Sequence, residues 1–266
     1  MKLLAVVSAK GGVGKTTMAA NLVAALAQSR NAVCVDLDPQ NALRLHLGIP
    51  SHEIDGIGRC TLEKRSWREA LFQGSMNTGV LPYGALNETD RDAFEVYLAE
   101  HPQWLTQGLA HLGLGDDDLV VIDTPPGPSL YLQQALRAAH FVLVVIQADA
   151  ASYATLPAME GLLKRYCNDR LDFTGAAYLI NNVQSDKALS KDVVEVVRAQ
   201  LGEKVVPLVI HQDEAVREAL AFDKLVLDYD PHCEATHDIL GAARWITSRM
   251  LPVREKSRGL KSVRRS

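Results

Sequence analysis

Residues 6–22 read VVSAKGGVGKTTMAANL, and this stretch decides the fold. Val6 and Val7 end an apolar run that begins at Leu3, and helical spacing sets in at Thr17. Between them stand Gly11, Gly12 and Gly14. Glycines accept positive φ, so consecutive backbone N–H groups can converge on an anion. The helix that follows adds the partial positive charge of its N-terminus. Strand, glycine-rich turn and helix in this order make a phosphate-binding loop. Gly11, Gly12, Val13 and Gly14 are expected to form the cradle. Lys15 is expected to reach the β- and γ-phosphates of ATP, Thr16 to offer its hydroxyl to Mg²⁺, and Thr17 to meet the α-phosphate. The ordinary loop opens on glycine, where this chain has Ala9, and it has no counterpart of Lys10.

Outward from the loop, short apolar runs recur, each followed by a helical pattern. They are Leu3–Val7, Ala32–Val35, Leu119–Ile122, Phe141–Ile146, Ala176–Ile180 and Val205–Ile210, with Val80–Tyr83 as a further candidate. Most lack polar alternation and read as strands buried on both faces, as in a parallel sheet. Helices are expected at Thr17–Gln28, Ser129–Ala139, Leu156–Tyr166, Asp192–Leu201, Asp213–Phe222 and Glu234–Met250, supplying the crossovers that parallel strands require. The pattern predicts a single doubly wound, mostly parallel α/β sheet with helices on both faces. Residues 48–118 are the least regular; SWREALFQG and DRDAFEVYLAEHPQWLTQGLAHL read as helical, with Pro102 breaking the second. With no linker or repeat, residues 1–252 read as one ATPase domain and 253–266 as a basic, disordered tail.

Two acidic segments complete the expected site. VVIDTPPG ends a buried strand in Asp123, the pattern that holds Mg²⁺ through water. VCVDLDPQNA places Asp36 and Asp38 at the end of the second strand, on one side of it by the two-residue period. Carboxyl ends of strands are where open α/β sheets bind ligands.

The string AKGGVGKTT resembles the deviant Walker A motif of the ParA/MinD superfamily of ATPases. That resemblance implies an ATP-dependent homodimer in which Lys10 reaches the nucleotide of the partner subunit, with Lys10, Lys15 and Asp38 carrying the hydrolysis. DLDPQ resembles switch I, so Asp38 would orient the attacking water and Asp36 would support the Mg²⁺ shell. DTPPG resembles switch II. LINNV resembles the strand end that supplies an adenine-reading asparagine, here Asn181. PLVIHQDEAVREAL resembles the later adenine-side segment, with His211 where many members have proline. Further strings (SWREALFQG, GVLPYG, IHQDEAVREAL and LDYDPHCEATHDILGAARWI) resemble the MinD/ParA-like ATPases of bacterial cellulose-synthesis operons. The implied function is a slow, partner-regulated ATPase switch that regulates or localises a cellulose synthase secretion complex through its protein components. The alternatives are a ParA-type partitioning ATPase on DNA and a MinD-like membrane-associated positioning ATPase.

Composition weighs among these. The chain has 266 residues, 47% hydrophobic and 6% aromatic, with a net charge of -4. Its last stretch, from Val253, holds six Lys/Arg and one Glu of the 28 and 32 in the chain, leaving 22 basic against 31 acidic residues elsewhere. An acidic body is a poor general surface for DNA. The tail has only Val253, Leu260 and Val263 as apolar groups, too few for an inserting amphipathic helix but compatible with weak contact to an anionic membrane. The four cysteines show no metal-ligand spacing, and none follows Asp123 within DTPPG, which argues against an iron–sulfur reductase. No signal peptide fits before the loop, and no apolar run approaches the ~20 residues of a membrane span. The expected location is the cytoplasm, peripherally at the inner membrane or cell pole.

Overall fold

The computed structural model describes residues 1–251; the basic tail read from the sequence lies outside them. In chain order the elements begin with β1 (Lys2–Val7), α1 (Lys15–Ala27), β2 (Ala32–Asp36), α2 (Leu43–His46) and α3 (Ile57–Leu62). β3 (Phe72–Gln73), β4 (Gly79–Leu81), α4 (Glu88–Glu100), α5 (Trp104–Ala110), β5 (Leu119–Asp123) and α6 (Leu130–Ala138) follow. The chain continues with β6 (Phe141–Gln147), α7 (Ala150–Ala154), α8 (Leu156–Tyr166), β7 (Gly175–Asn181) and α9 (Ala188–Leu201). It closes with α10 (Glu214–Ala221), α11 (Val226–Tyr229) and α12 (Glu234–Met250).

The strands form a 7-stranded sheet in the order β3-β4-β2-β5-β1-β6-β7. All pairings are parallel except β3 with β4. The two-residue period divides each central strand between two apolar layers. Ala5, Val7, Val35, Ile122 and Val144 face one layer with α4, α5, α6, α8 and α9. Leu4, Val6, Cys34, Val121 and Leu143 face the other, with α1, α2, α10, α11 and α12. Helix α1 is apolar nearly all round because the sheet lies on one side of it and α12 on the other. The connection after β1 leaves over one face through α1, and that after β5 over the opposite face through α6. The expected doubly wound sheet is therefore present, and the crevice at the carboxyl ends of β1 and β5 is where such sheets take ligands.

Two local expectations are corrected. Val205–Ile210 is not a strand. It follows the edge of β7 through the Val206 and Ile210 N–H groups, which donate to the Tyr178 and Ile180 carbonyls. Pro207 between them has no N–H to continue a ladder. SWREALFQG is not a helix either: Ser66 and Glu69 close a capping box around a single turn, Trp67–Ala70, and Phe72 then pairs with Val80 in β3. The break at Pro102 falls where expected, between α4 and α5. The irregular segment buries aromatics edge to face, Trp67 on Trp104 at 4.9 Å and Phe94 on Trp104 at 5.3 Å. Both indole N–H groups donate to the Thr61 hydroxyl. No helix among the described residues is long and apolar enough to cross a membrane.

His46, at the end of α2, is buried, and burial lowers its imidazole from 6.5 to about 4. The fold holds the ring neutral, whereas the unfolded chain takes up a proton below 6.5. This contribution is therefore complete above that pH and is lost as pH falls toward the folded value, about 3 kcal/mol in all. His46→Leu removes it. In urea titrations the stability of wild type relative to the variant is expected to fall by about 2 kcal/mol between pH 7 and pH 4.5.

Candidate functional site

The loop Ser8–Gly14 leaves β1 and enters α1. Gly12 and Gly14 hold φ of 74° and 85°, which only glycine adopts without strain. A Cβ on Gly14 would also run into the Asn181 side-chain amide. Three neighbours hold the loop by its carbonyl groups. The Gly127 N–H donates to the Ser8 carbonyl at 3.0 Å. Gln147 Nε2 donates to the Gly12 carbonyl at 3.2 Å, and Asn181 Nδ2 to the Val13 carbonyl at 2.8 Å.

Lys15 opens α1 and turns inward. Its Nζ donates to Asp123 Oδ1 at 2.8 Å, with the lysine side chain 6% and the carboxylate 0% exposed. Thr16 stands near enough to favour the ionised form of this carboxyl. Asp123 Oδ2 is buried and has no protein partner among the described residues. Asp36 stands beside Asp123 in the β2–β5 register. Burial raises both carboxyls; the Asp123 charge raises Asp36 further, while Lys15 and Thr16 draw Asp123 back down. Asp36 Oδ1 accepts from the Asp38 N–H at 2.8 Å and Oδ2 from the Leu43 N–H at 3.1 Å. Asp38 is 9% exposed and takes the Gln40 N–H on Oδ1 at 2.9 Å.

Lys10 is placed differently from Lys15. Its side chain is 38% exposed at the rim, and Nζ meets Asp149 Oδ2 at 3.0 Å. Asp149 caps α7 by accepting the Ser152 N–H. Burial works against its ionisation, yet the Ser152 donors and the Lys10 ammonium together hold it below the usual carboxylate range.

Beside the loop lies an open pocket of about 280 Å³, lined by Gly12, Gly14, Thr17, Asn181, His211 and Arg217 among others. One Asn181 N–H is committed to the loop, so its oxygen and second N–H are the groups an adenine could engage. The His211 ring is held against α12 by Asp238 Oδ2, 2.8 Å from Nδ1. The structure thus gathers the loop, Asp36, Asp38 and Asp123 at the ends of β1, β2 and β5, with Asn181 and His211 on the pocket side. Asp149 and Gln147 were missed in the sequence. Their signal was position, since IQADA ends β6, the strand next to β1. Among the described residues no group of three or more His, Cys, Asp or Glu could cage a metal.

A glycine cradle at a helix N-terminus, a buried lysine on a strand-end aspartate, and a second lysine at the rim define a P-loop ATPase of the ParA/MinD type. Known proteins agree. Residues 1–247 match the family described as "Cellulose biosynthesis protein BcsQ", and the chain belongs to that family. It is 26% identical over 254 residues to the cellulose biosynthesis protein BcsQ of Salmonella typhimurium, covering 92% of this chain and 94% of that one. It is 31% identical over 259 residues to the chromosome partitioning protein ParA of Caulobacter vibrioides, covering 94% and 95%. Among solved structures, cobyrinic acid a,c-diamide synthase from Mycobacterium smegmatis, with a bound ATP analogue and magnesium, superposes with a TM-score of 0.75 at 26% identity, covering 95% and 98%.

Gly14→Ala is expected to destabilise the chain by about 1–2 kcal/mol, because the new Cβ meets both a left-handed backbone and the Asn181 amide. Chemical denaturation checks the magnitude. Gly161→Ala, where an added Cβ meets nothing within 4 Å and the backbone is not left-handed, is the control.

Proposed function

We propose that this chain is an ATP- and Mg²⁺-dependent switch that closes as a homodimer and regulates or localises a cellulose synthase secretion complex through that complex's protein components. The observation that carries the reading is the contrast between two lysines of one loop. Lys15 is buried and serves its own site; Lys10 stands at the rim, parked on Asp149, where a second copy can be met. Closure moves the Lys10 ammonium from Asp149 to the phosphates of the partner's nucleotide, a cation aimed at charge that develops during phosphoryl transfer.

The residues fit the groups they would hold. Two glycines at positive φ leave room for phosphate oxygens against backbone N–H groups, and Lys15 supplies the cation. Thr16 and Asp123 Oδ2, which has no protein partner among the described residues, suit a hydrated Mg²⁺, which binds through few protein oxygens. When bound, Mg²⁺ neutralises charge on the β- and γ-phosphates. Asp38, at the end of β2, orients the attacking water. The adenine occupies the pocket beside Asn181 and His211. Hydrolysis is slow and set by a partner, and release of the γ-phosphate lets the dimer open.

Separate substitutions of the two lysines test this reading. Lys15→Ala is expected to remove ATP binding in calorimetry. Lys10→Ala is expected to keep ATP affinity within about threefold, yet lose the dimer formed with a non-hydrolysable analogue and at least ~90% of turnover. An undiminished dimer and normal turnover in Lys10→Ala would falsify the cross-subunit role. The ParA relative supports a second reading, a DNA-partitioning switch; ATP-dependent retention on nonspecific duplex DNA at physiological salt would favour it over the first.

The basic tail provides a weak, salt-sensitive contact with anionic lipid at the inner membrane, each Lys or Arg contributing about 1 kcal/mol near the surface. Dimer closure presents two tails together and strengthens it. In co-sedimentation with anionic vesicles at low salt, full-length protein is expected to pellet more with ATP than without. A chain ending at Leu251 is expected to stay in the supernatant. Equal pelleting of the two chains removes the tail from this role.

A further inference from the structure

We propose that Asp36 is a positioning residue: its carboxylate is the post around which the 37–43 loop folds, and it fixes Asp38 at the nucleotide instead of holding magnesium. This rests on the reading of Asp38 as the residue that orients the attacking water.

The argument is one of oxygen atoms and N–H groups. Asp36 is fully buried, and each of its oxygens accepts a backbone N–H of its own loop, Asp38 at 2.8 Å and Leu43 at 3.1 Å. Its register partner Asp123 differs: Oδ2 is buried and reached by no protein donor among the described residues. Of the two carboxylates, only Asp123 has an oxygen that no protein donor among the described residues reaches, whereas both Asp36 oxygens are already engaged in holding the loop. The rest of the loop closes on the same frame. The Leu37 N–H donates to the Asp123 carbonyl at 2.9 Å. The Asn41 N–H donates to the Asp38 carbonyl at 2.8 Å, with Asn41 turned to a φ of 51° to make the return. The Gln40 N–H donates to Asp38 Oδ1, and Pro39 has no N–H to satisfy. A loop tied in this way is ordered before nucleotide arrives. Hydrogen bonds from backbone N–H groups to a buried carboxylate are strong, and removing one acceptor leaves a donor without a partner.

The first measurement needs no variant. Amide hydrogen exchange on the full chain is expected to show the Asp38 and Leu43 N–H groups protected without nucleotide. Their protection should change by less than about threefold with Mg²⁺ and a non-hydrolysable ATP analogue. Unprotected amides in the nucleotide-free chain, or protection lost on loading, would overturn the proposal.

The second measurement uses Asp36→Asn, which keeps one acceptor and turns an NH₂ toward a backbone donor. Turnover is expected to fall roughly 10- to 100-fold, while the ATP KM and the Mg²⁺ concentration for half-maximal activity stay within about twofold. A Mg²⁺ requirement raised about tenfold, with turnover restored at saturation, would make Asp36 a metal-holding group and sink the proposal. The third is the double variant with Asp38→Ala. If Asp36 acts through Asp38, the double variant is no slower than Asp38→Ala alone; multiplied losses would show an independent role. Should Asp38→Ala hydrolyse ATP normally, the reading of Asp38 fails by itself. Rapid exchange at Asp38 and Leu43 in Asp36→Asn would still establish Asp36 as the post of the loop, and unchanged exchange there would refute it. If Asp36→Asn does not fold, the wild-type exchange result decides.

Discussion

The Lys15 ammonium buried against Asp123 at 2.8 Å is the contact on which the rest of the site depends. It ties the first residue of α1 to the last residue of β5 and so draws the glycine loop down onto the end of the sheet. Taking both charges out of water is costly, and the close geometry of the pair offsets that cost, with Thr16 nearby also favouring the ionised carboxylate. One lysine faces two buried aspartates, since Asp36 is the register neighbour of Asp123. Burial raises both carboxyls, the Asp123 charge raises Asp36 further and Lys15 draws Asp123 back down, so ionising both groups against a single lysine is costly. That is a setting in which a divalent cation arriving with a polyphosphate relieves strain already present.

Around this pair the protein works mainly through carbonyl groups. Ser8, Gly12 and Val13 each give their oxygen to a donor from a different neighbour: the turn after β5, the end of β6, and the end of β7. A phosphate accepts and does not donate, so a loop whose carbonyls are bonded elsewhere can leave N–H groups for the anion. The parallel sheet makes the arrangement economical, because β5, β6 and β7 all end on the same side as β1 and each can bring a donor to the loop.

The two lysines of the loop differ sharply in burial. Lys15 is locked into the chain that carries it, while Lys10 rests on a partly exposed carboxylate with room to move. An exposed ion pair of this kind contributes little to stability, so exchanging it for another anion is nearly free of penalty. The 37–43 loop behaves in the opposite way, held by the buried Asp36 carboxylate and by the ends of neighbouring strands. A buried, tied loop and a partly exposed cation thus stand at the same end of the sheet.

The sequence by itself determined the doubly wound sheet and the composition of the loop. Apolar runs such as LVVID and FVLVVI can bury both faces only between two helical layers, and GGVGKT between strand and helix has one ready structural reading. It also placed Asp36, Asp38 and Asp123 at strand ends, since the two-residue period and the end of each apolar run are local properties. The tertiary structure decided what local pattern cannot carry. VVPLVI has strand composition, but Pro207 interrupts its N–H ladder against β7. SWREALFQG has helix composition, but pairing of Phe72 with Val80 ends the turn. Asp149 under Lys10, Gln147 under Gly12 and the two backbone donors on Asp36 depend on which strands lie side by side and where each loop turns back. Those are relations between residues up to 139 positions apart, and only the assembled sheet fixes them.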